Sequence, residues 1–236
     1  MNFLVQNNFS TLIFDCDGVI LNSNKVKTEA FFKTILPFGE TAANALIEYH
    51  VTNGGVSRYK KFAYFIEQIL PSCSPGIDCP DQSDLLNTYA AYVRQGLLNC
   101  QIAPGLEAFR KRTSGIHWLV VSGGDQAELR EVFAERGIAE WFDGGIFGSP
   151  DTKEQILQRE LANDNIRHPA LFLGDSKYDH QAATAAGLEL IFLHGWTEVK
   201  DWQEWVKTEQ IKHAESVASL LSLNPGDLAQ LQWTPR

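Results

Sequence analysis

Asp15 and Asp17 stand two residues apart in the run Asp15-Cys16-Asp17-Gly18-Val19-Ile20, directly after the apolar stretch Thr11 to Phe14. Two carboxylates at that spacing can share a hard cation through oxygen ligands, and Gly18 lets the chain turn sharply behind them. A second acidic motif lies far along the chain, Gly174-Asp175-Ser176-Lys177-Tyr178-Asp179, with its carboxylates four residues apart. So many acids in one pocket repel one another unless a cation neutralises them. A divalent ion also screens a phosphate dianion from an attacking carboxylate. Magnesium, which prefers a few carboxylates together with water and phosphate oxygens, suits such a set.

These motifs need elements that bring them together. Four short apolar runs read as buried parallel strands: Thr11 to Phe14, His117 to Val121, Ala170 to Leu173 and Leu188 to Leu193. Gly145 to Phe147 is a weaker fifth. Amphipathic helices alternate with them; Leu129, Val132 and Phe133 share one face of the segment Gln126 to Arg136. Alternating strand and helix predicts an α/β fold with a doubly wound parallel sheet. The first three strands end at Asp15, Ser122 and Asp175, so these residues gather at the carboxyl edge, where open α/β sheets bind ligands.

Residues 22–99 break the alternation. They hold no good strand but several helical stripes, including Tyr59, Phe62, Ile66 and Ile69, and Leu86, Tyr89, Val93 and Leu97. About four helices are therefore expected as an insert after the first strand, with residues 1–21 and 100–236 forming the α/β core. Tryptophans Trp196, Trp202, Trp205 and Trp233 are expected as packing anchors of the tail, and a helix near Ala214 to Leu221 as a cover for the sheet edge.

A net charge of −9 argues against a duplex nucleic acid partner, which needs a surplus of Lys and Arg. No leader pattern and no apolar run of membrane-spanning length is visible, so a cytoplasmic protein is expected. Cys16, Cys73, Cys79 and Cys100 make neither a zinc pattern nor a dense disulfide framework. Cys73 and Cys79 flank a loop and could pair, but free thiols are the expectation. The six histidines are scattered and pair with no motif.

In their order and spacing Asp15 to Ile20, Ser122, Lys153 and Asp175 to Asp179 resemble the four motifs of the haloacid dehalogenase superfamily of phosphotransferases. The helical insert matches the position of that family's helical cap. The resemblance implies a magnesium-dependent phosphatase of a small phosphorylated metabolite, such as a sugar phosphate or a phosphoglycolate-like compound. It implies Asp15 as nucleophile, forming an aspartyl phosphate, and Asp17 as general acid and base, with its backbone carbonyl on the metal. Ser122 and the Gly123 backbone would hold the phosphoryl oxygens, and Lys153 would balance charge. Asp175 and Asp179 would hold magnesium with Asp15.

The insert adds a candidate for the rest of the substrate. Gly54-Gly55 approach a helix that Ser57 can cap, and Arg58 there offers a planar fork for carboxylate or phosphate. Lys61, one turn on, is a second candidate. Gly55-Val56-Ser57-Arg58 also resembles the cap loop of β-phosphoglucomutases, so a sugar phosphate mutase is the runner-up. That enzyme, however, has Glu-Asp where this chain has Gly174-Asp175, and commonly Lys-Pro where this chain has Lys153-Glu154. The dehalogenase branch lacks an acid at the position of Asp17. The phosphonate-cleaving branch uses a cap lysine; Lys25 and Lys27 lie nearby and are expected as exposed helix residues. A non-catalytic phosphometabolite-binding protein is a third reading, against which every motif residue present argues.

Overall fold

The computed structural model describes residues 9–222. Six parallel strands form one sheet in the order β3-β2-β1-β4-β5-β6: β1 (Thr11–Phe14), β2 (His117–Asp125), β3 (Ile146–Ser149), β4 (Ala170–Gly174), β5 (Glu189–Leu193) and β6 (Lys212–Ala214). The chain winds outward from β1 to β3, returns to β4 beside β1, and winds outward again to β6. The reversal lies between β1 and β4, which pair from Thr11↔Ala170 to Phe14↔Leu173. Their carboxyl ends flank the crevice that such a reversal opens. Asp15 follows β1 and Asp175 follows β4, so the topology puts the two acidic motifs side by side.

Both faces of the sheet are buried, which is why the central strands are continuously apolar. Leu12 and Phe14 point to one face, where Phe14 meets Trp118 at 4.5 Å between ring centres and packs with Phe109 and Phe142. Ile13, Leu119, Val121, Phe172 and Phe192 fill the other. The crossing helices α5 (Leu106–Arg112), α6 (Gln126–Glu135), α7 (Lys153–Ala162) and α8 (Lys177–Ala185) cover these faces. The doubly wound α/β sheet read from the sequence is present.

Between β1 and α5 the regular elements are helices only: α1 (Asn24–Ile35), α2 (Glu40–Thr52), α3 (Arg58–Tyr64) and α4 (Gln82–Asn99) are the main ones. Beyond Tyr64 the third continues through a π-turn over Phe65–Ile69 into a last turn, Leu70–Cys73. Ser57 caps α3, its hydroxyl accepting from Lys60 N. Phe31, Phe62 and Tyr89 bind the helices together, with Phe31 and Tyr89 rings 4.3 Å apart.

Two expectations are corrected. The second strand does not stop at Ser122 but continues to Asp125, with its register against β3 shifting between Val121 and Asp125. Small, polar residues Ser122-Gly123-Gly124 hide this continuation from a search for apolar runs. The sheet edge carries a sixth strand, β6, three residues long and polar, followed by α10 (Val217–Ser222). The four cysteines are free thiols as expected. Trp202 and Trp205, on α9 (Trp202–Thr208), pack on Phe192; Trp233 lies outside the described residues. Among the described residues no helix is long and apolar enough to cross a membrane.

Candidate active site

The site begins at the end of β1. The Asp15 amide donates to Leu173 O of β4 (2.9 Å), which carries the sheet ladder one residue beyond the strand. Its carboxylate accepts from Cys16 N (2.7 Å) and from Lys153 Nζ (2.9 Å). Lys153 is the first residue of α7, fixed by a Thr152–Gln155 capping box. It is 1% exposed, and its ammonium also pairs with Asp179. The cap thus aims a buried lysine between two carboxylates from different motifs.

Asp175 and Asp179 bracket the start of α8. Asp179 accepts from the backbone amides of Asp175 and Ser176 and from the Ser176 hydroxyl, so it caps its own helix. Asp175 accepts from Asn24 Nδ2 at 2.7 Å. Gly18 has φ +73°, and a Cβ there would lie 1.9 Å from Asp175 Oδ2. The turn after Asp17 therefore admits only glycine, for both its dihedral and its space.

Asp15, Asp175 and Asp179 are buried and each offers an oxygen within 4.8 Å of the others. Burial drives the Asp15 pKa up to about 7; Asp179 and Asp17 add to this and Lys153 opposes it. Burial, then Asp15 and Asp179, hold the Asp175 carboxyl well above the usual range. One lysine does not balance three buried acids. The donor set, all oxygen and short of positive charge, fits a hard cation.

Asp17 faces elsewhere. Its carboxylate accepts from Ser23 Oγ (2.6 Å) and pairs with Lys27, which is buried. Burial opposes its ionisation, but Lys27 and Ser23 outweigh burial and hold its pKa below the ordinary carboxylate value. Asp17 therefore stands outside the carboxylate cluster with its side chain. Burial pushes the Cys16 thiol well up, so it stays protonated and is no nucleophile.

Ser122 is buried in the irregular end of β2, its hydroxyl accepting from Gly124 N at 3.0 Å. A Cβ on Gly123 would lie 2.0 Å from Gly55 O. The Gly54–Arg58 loop of the insert thus rests directly on the Ser122–Asp125 stretch. Tyr59 Oη donates to Asp125 at 2.6 Å, and Arg58 pairs with Glu128 on α6. Arg58 and Lys61 both line a cavity of about 50 Å³ that also takes in Asp15, Asp17 and Asp175. Arg58 reaches this wall with its charge already matched by Glu128 and its guanidinium carbon 4.7 Å from the centre of the Tyr89 ring.

The sequence reading missed several residues. Lys27 is not the exposed helix lysine expected but the buried partner of Asp17. Asn24 and Lys27, three apart on α1, share the face turned to the site, a spacing that could have flagged both. His50, set aside as scattered, pairs with Lys61 through Nδ1 at 2.6 Å. No local pattern announces that contact.

The fold and site together define a buried acidic centre at the reversal point of a doubly wound parallel sheet. The model of the haloacid dehalogenase-like hydrolases matches residues 9–187, and the chain belongs to that family. Among solved structures, a predicted phosphoglycolate phosphatase of Haemophilus somnus is 15% identical and superposes with a TM-score of 0.71, over 91% of this chain and 97% of that one. CbbY of Rhodobacter sphaeroides, solved with xylulose-(1,5)-bisphosphate, is 19% identical with a TM-score of 0.67, over 89% of this chain and 95% of that one. A haloacid dehalogenase-like protein of Streptococcus pneumoniae is 18% identical, with a TM-score of 0.66 over 91% and 97%. A search of curated protein sequences finds no match.

Proposed function

We propose that this protein is a magnesium-dependent phosphatase of a small phosphorylated metabolite, with Asp15 as nucleophile. The helices of residues 22–99 serve as a cap over a core made of residues 1–21 and 100–236. The observation that carries the reading is the cluster of Asp15, Asp175 and Asp179, with Lys153 bridging Asp15 and Asp179 at the sheet crevice. The family membership supports the same chemistry.

Asp15, Asp175, Asp179 and the Asp17 carbonyl would hold the ion. When bound, it neutralises the acids and the phosphate oxygens, which removes the charge barrier to attack. Asp15 attacks phosphorus, the bond to the leaving oxygen breaks, and Asp17 gives that oxygen a proton. Asp17 then takes a proton from water, which attacks the aspartyl phosphate and frees Asp15 and inorganic phosphate. Lys27 holds Asp17 ionised, which suits the second half; the first half requires Asp17 to leave Lys27 and gain a proton. Ser122 and the Gly123 amide would receive phosphoryl oxygens, and Lys153 would offset the charge that builds on them. Arg58 and Lys61 supply positive groups for the part of the substrate that is not transferred.

The test is a phosphomonoester panel with magnesium, reading released phosphate, in wild type and Asp15→Asn. The expected result is hydrolysis that Asp15→Asn abolishes in a folded protein, without isomerised sugar phosphate. Near wild-type turnover by folded Asp15→Asn overturns the mechanism.

A further inference from the structure

Three cations of the insert line the cavity beside Asp15: Lys27, Arg58 and Lys61, all buried. Two of them are matched, Lys27 by Asp17 and Arg58 by Glu128. Lys61 is 2% exposed and forms no ion pair among the described residues. Its Nζ lies 2.6 Å from His50 Nδ1, 3.5 Å from the His50 carbonyl oxygen, and 5.6 Å from the centre of the Phe31 ring. With Lys61 donating to Nδ1, a neutral His50 carries its proton on Nε2. That atom is buried and has no hydrogen-bond partner among the described residues. A buried N–H left unpaired and a buried charge left unmatched both cost free energy. Adjacent to each other and in the wall of one cavity, they call for the same thing, an anionic acceptor.

We propose that the His50–Lys61 pair is the subsite for the non-transferred end of the substrate, and that this end is a carboxylate on a short carbon chain. The inference rests on the phosphatase reading above. The charge balance selects the carboxylate. With Lys61 protonated, the pair offers one positive charge and one further N–H, which a monoanion with two oxygens matches. A second phosphate dianion would exceed that charge, since Arg58 is already neutralised by Glu128 and Lys27 is engaged with Asp17. A sugar hydroxyl would leave Lys61 unmatched. The cavity, about 50 Å³, suits a chain of a few atoms.

The pair also ties binding to protons. Burial and Lys27 of α1 lower the Lys61 pKa to about 7, against Asp17 after β1 and Glu198 after β5, which raise it; Lys153 of α7 lowers it further. Burial, Lys61 and Lys27 hold His50 well below its ordinary range, so the imidazole is neutral. Tyr89 of α4, pushed up to about 12, is neutral too. Above pH 7 the free enzyme therefore holds Lys61 mostly as the amine. A carboxylate arriving beside it favours the ammonium, so binding takes up a proton.

Calorimetry on the full chain with magnesium chloride tests this with two phosphonates, phosphonoacetate and ethylphosphonate, which differ by the carboxylate. Phosphonoacetate should bind wild type about tenfold tighter or more, the effect of a charge-assisted hydrogen bond in a buried site. In Lys61→Met, which removes an unmatched charge and keeps the stem over Phe31, the ratio should fall to near one. At pH 8, titration in buffers of different ionisation enthalpy should register uptake approaching one proton for wild type and none for Lys61→Met. His50→Gln should lower the ratio while retaining the uptake. Equal affinity for both phosphonates, in wild-type protein that binds inorganic phosphate and hydrolyses phosphomonoesters, overturns the subsite and leaves the phosphatase reading standing. Tighter binding of ethylenebisphosphonate than of phosphonoacetate, lost in Lys61→Met, overturns the carboxylate. No binding of inorganic phosphate and no hydrolysis of any phosphomonoester removes the phosphatase reading and this inference with it.

Discussion

Replacing Lys153 by Met should destabilise the metal-free protein, and by more at pH 8 than at pH 5.5. Lys153 is 1% exposed and sits between Asp15, at 2.9 Å, and Asp179. Breaking a buried ion pair from one side typically costs about 3–5 kcal/mol, because the partner charge is left unpaired. Here two partners are left. For a chain of this length that cost corresponds to a drop of about 6–20 °C in Tm. The pH dependence follows from Asp15. Its folded pKa is raised to about 7 from the ordinary 3.8, and Lys153 is the strongest group holding it down. Without Lys153 it rises further. The folded mutant then keeps a proton that the unfolded chain has lost, so its stability falls with rising pH until the folded pKa is passed. The wild type levels off near pH 7, whereas the mutant goes on losing stability, at up to about 1.4 kcal/mol per pH unit for one proton. Urea unfolding of both proteins with a chelator, at pH 5.5 and 8, measures the gap. A gap under about 1 kcal/mol at pH 8, or one that does not shrink in acid, would refute the electrostatic account of this cluster.

Magnesium should raise the melting temperature more at pH 8 than at pH 5, because the raised pKa of Asp15 and Asp175 lets protons compete with the ion in acid; calorimetry with and without chelator checks this, and equal shifts at both pH values count against the acid cluster as the metal site. Lys27→Met should move the alkaline limb of the kcat–pH profile upward, since Lys27 is the strongest group holding Asp17 ionised; an unmoved limb in an active mutant would exclude Asp17 as the acid. Gly123→Ala should lower kcat/KM tenfold or more, because the new methyl would lie 2.0 Å from Gly55 O and force the insert loop off the proposed phosphoryl site; the variant's circular dichroism should match wild type, and unchanged kinetics would mean that this loop contact is dispensable.

How legible each part was in the sequence depends on the range of the force that fixes it. The central strands are buried on both faces, so β1, β4 and β5 announce themselves as unbroken apolar runs. The last residues of β2 and all of β6 do not, because their backbones pair while their side chains are small or polar. Strand order is what brings Asp15 beside Asp175, and the winding rules supply it without any side-chain detail. Gly18 was readable as a turn residue, yet the stronger reason for it, the Asp175 oxygen where a Cβ would sit, belongs to a contact across 157 positions.

Charged residues of the insert were hardest, and for one physical reason. A lysine in a helix reads the same whether it is solvated or buried, because the groups that meet it when buried come from other elements. Lys27 is buried because Asp17, ten residues earlier and outside the helix, turns toward it. Arg58 is buried because Glu128, seventy residues on, meets it. The sequence assigned Arg58 to the substrate from its cap loop alone and ranked Lys61 second. The structure brings both to the same cavity, but it spends the Arg58 charge on Glu128 and leaves Lys61 with a neutral imidazole. Attraction for a substrate anion is set by the charge that remains after the protein's own pairs are formed, which is why the proposed subsite is centred on Lys61 and not on Arg58. Of the insert's cations around the cavity, Lys61 is the one with no carboxylate paired to it among the described residues, and the proposed subsite rests on that.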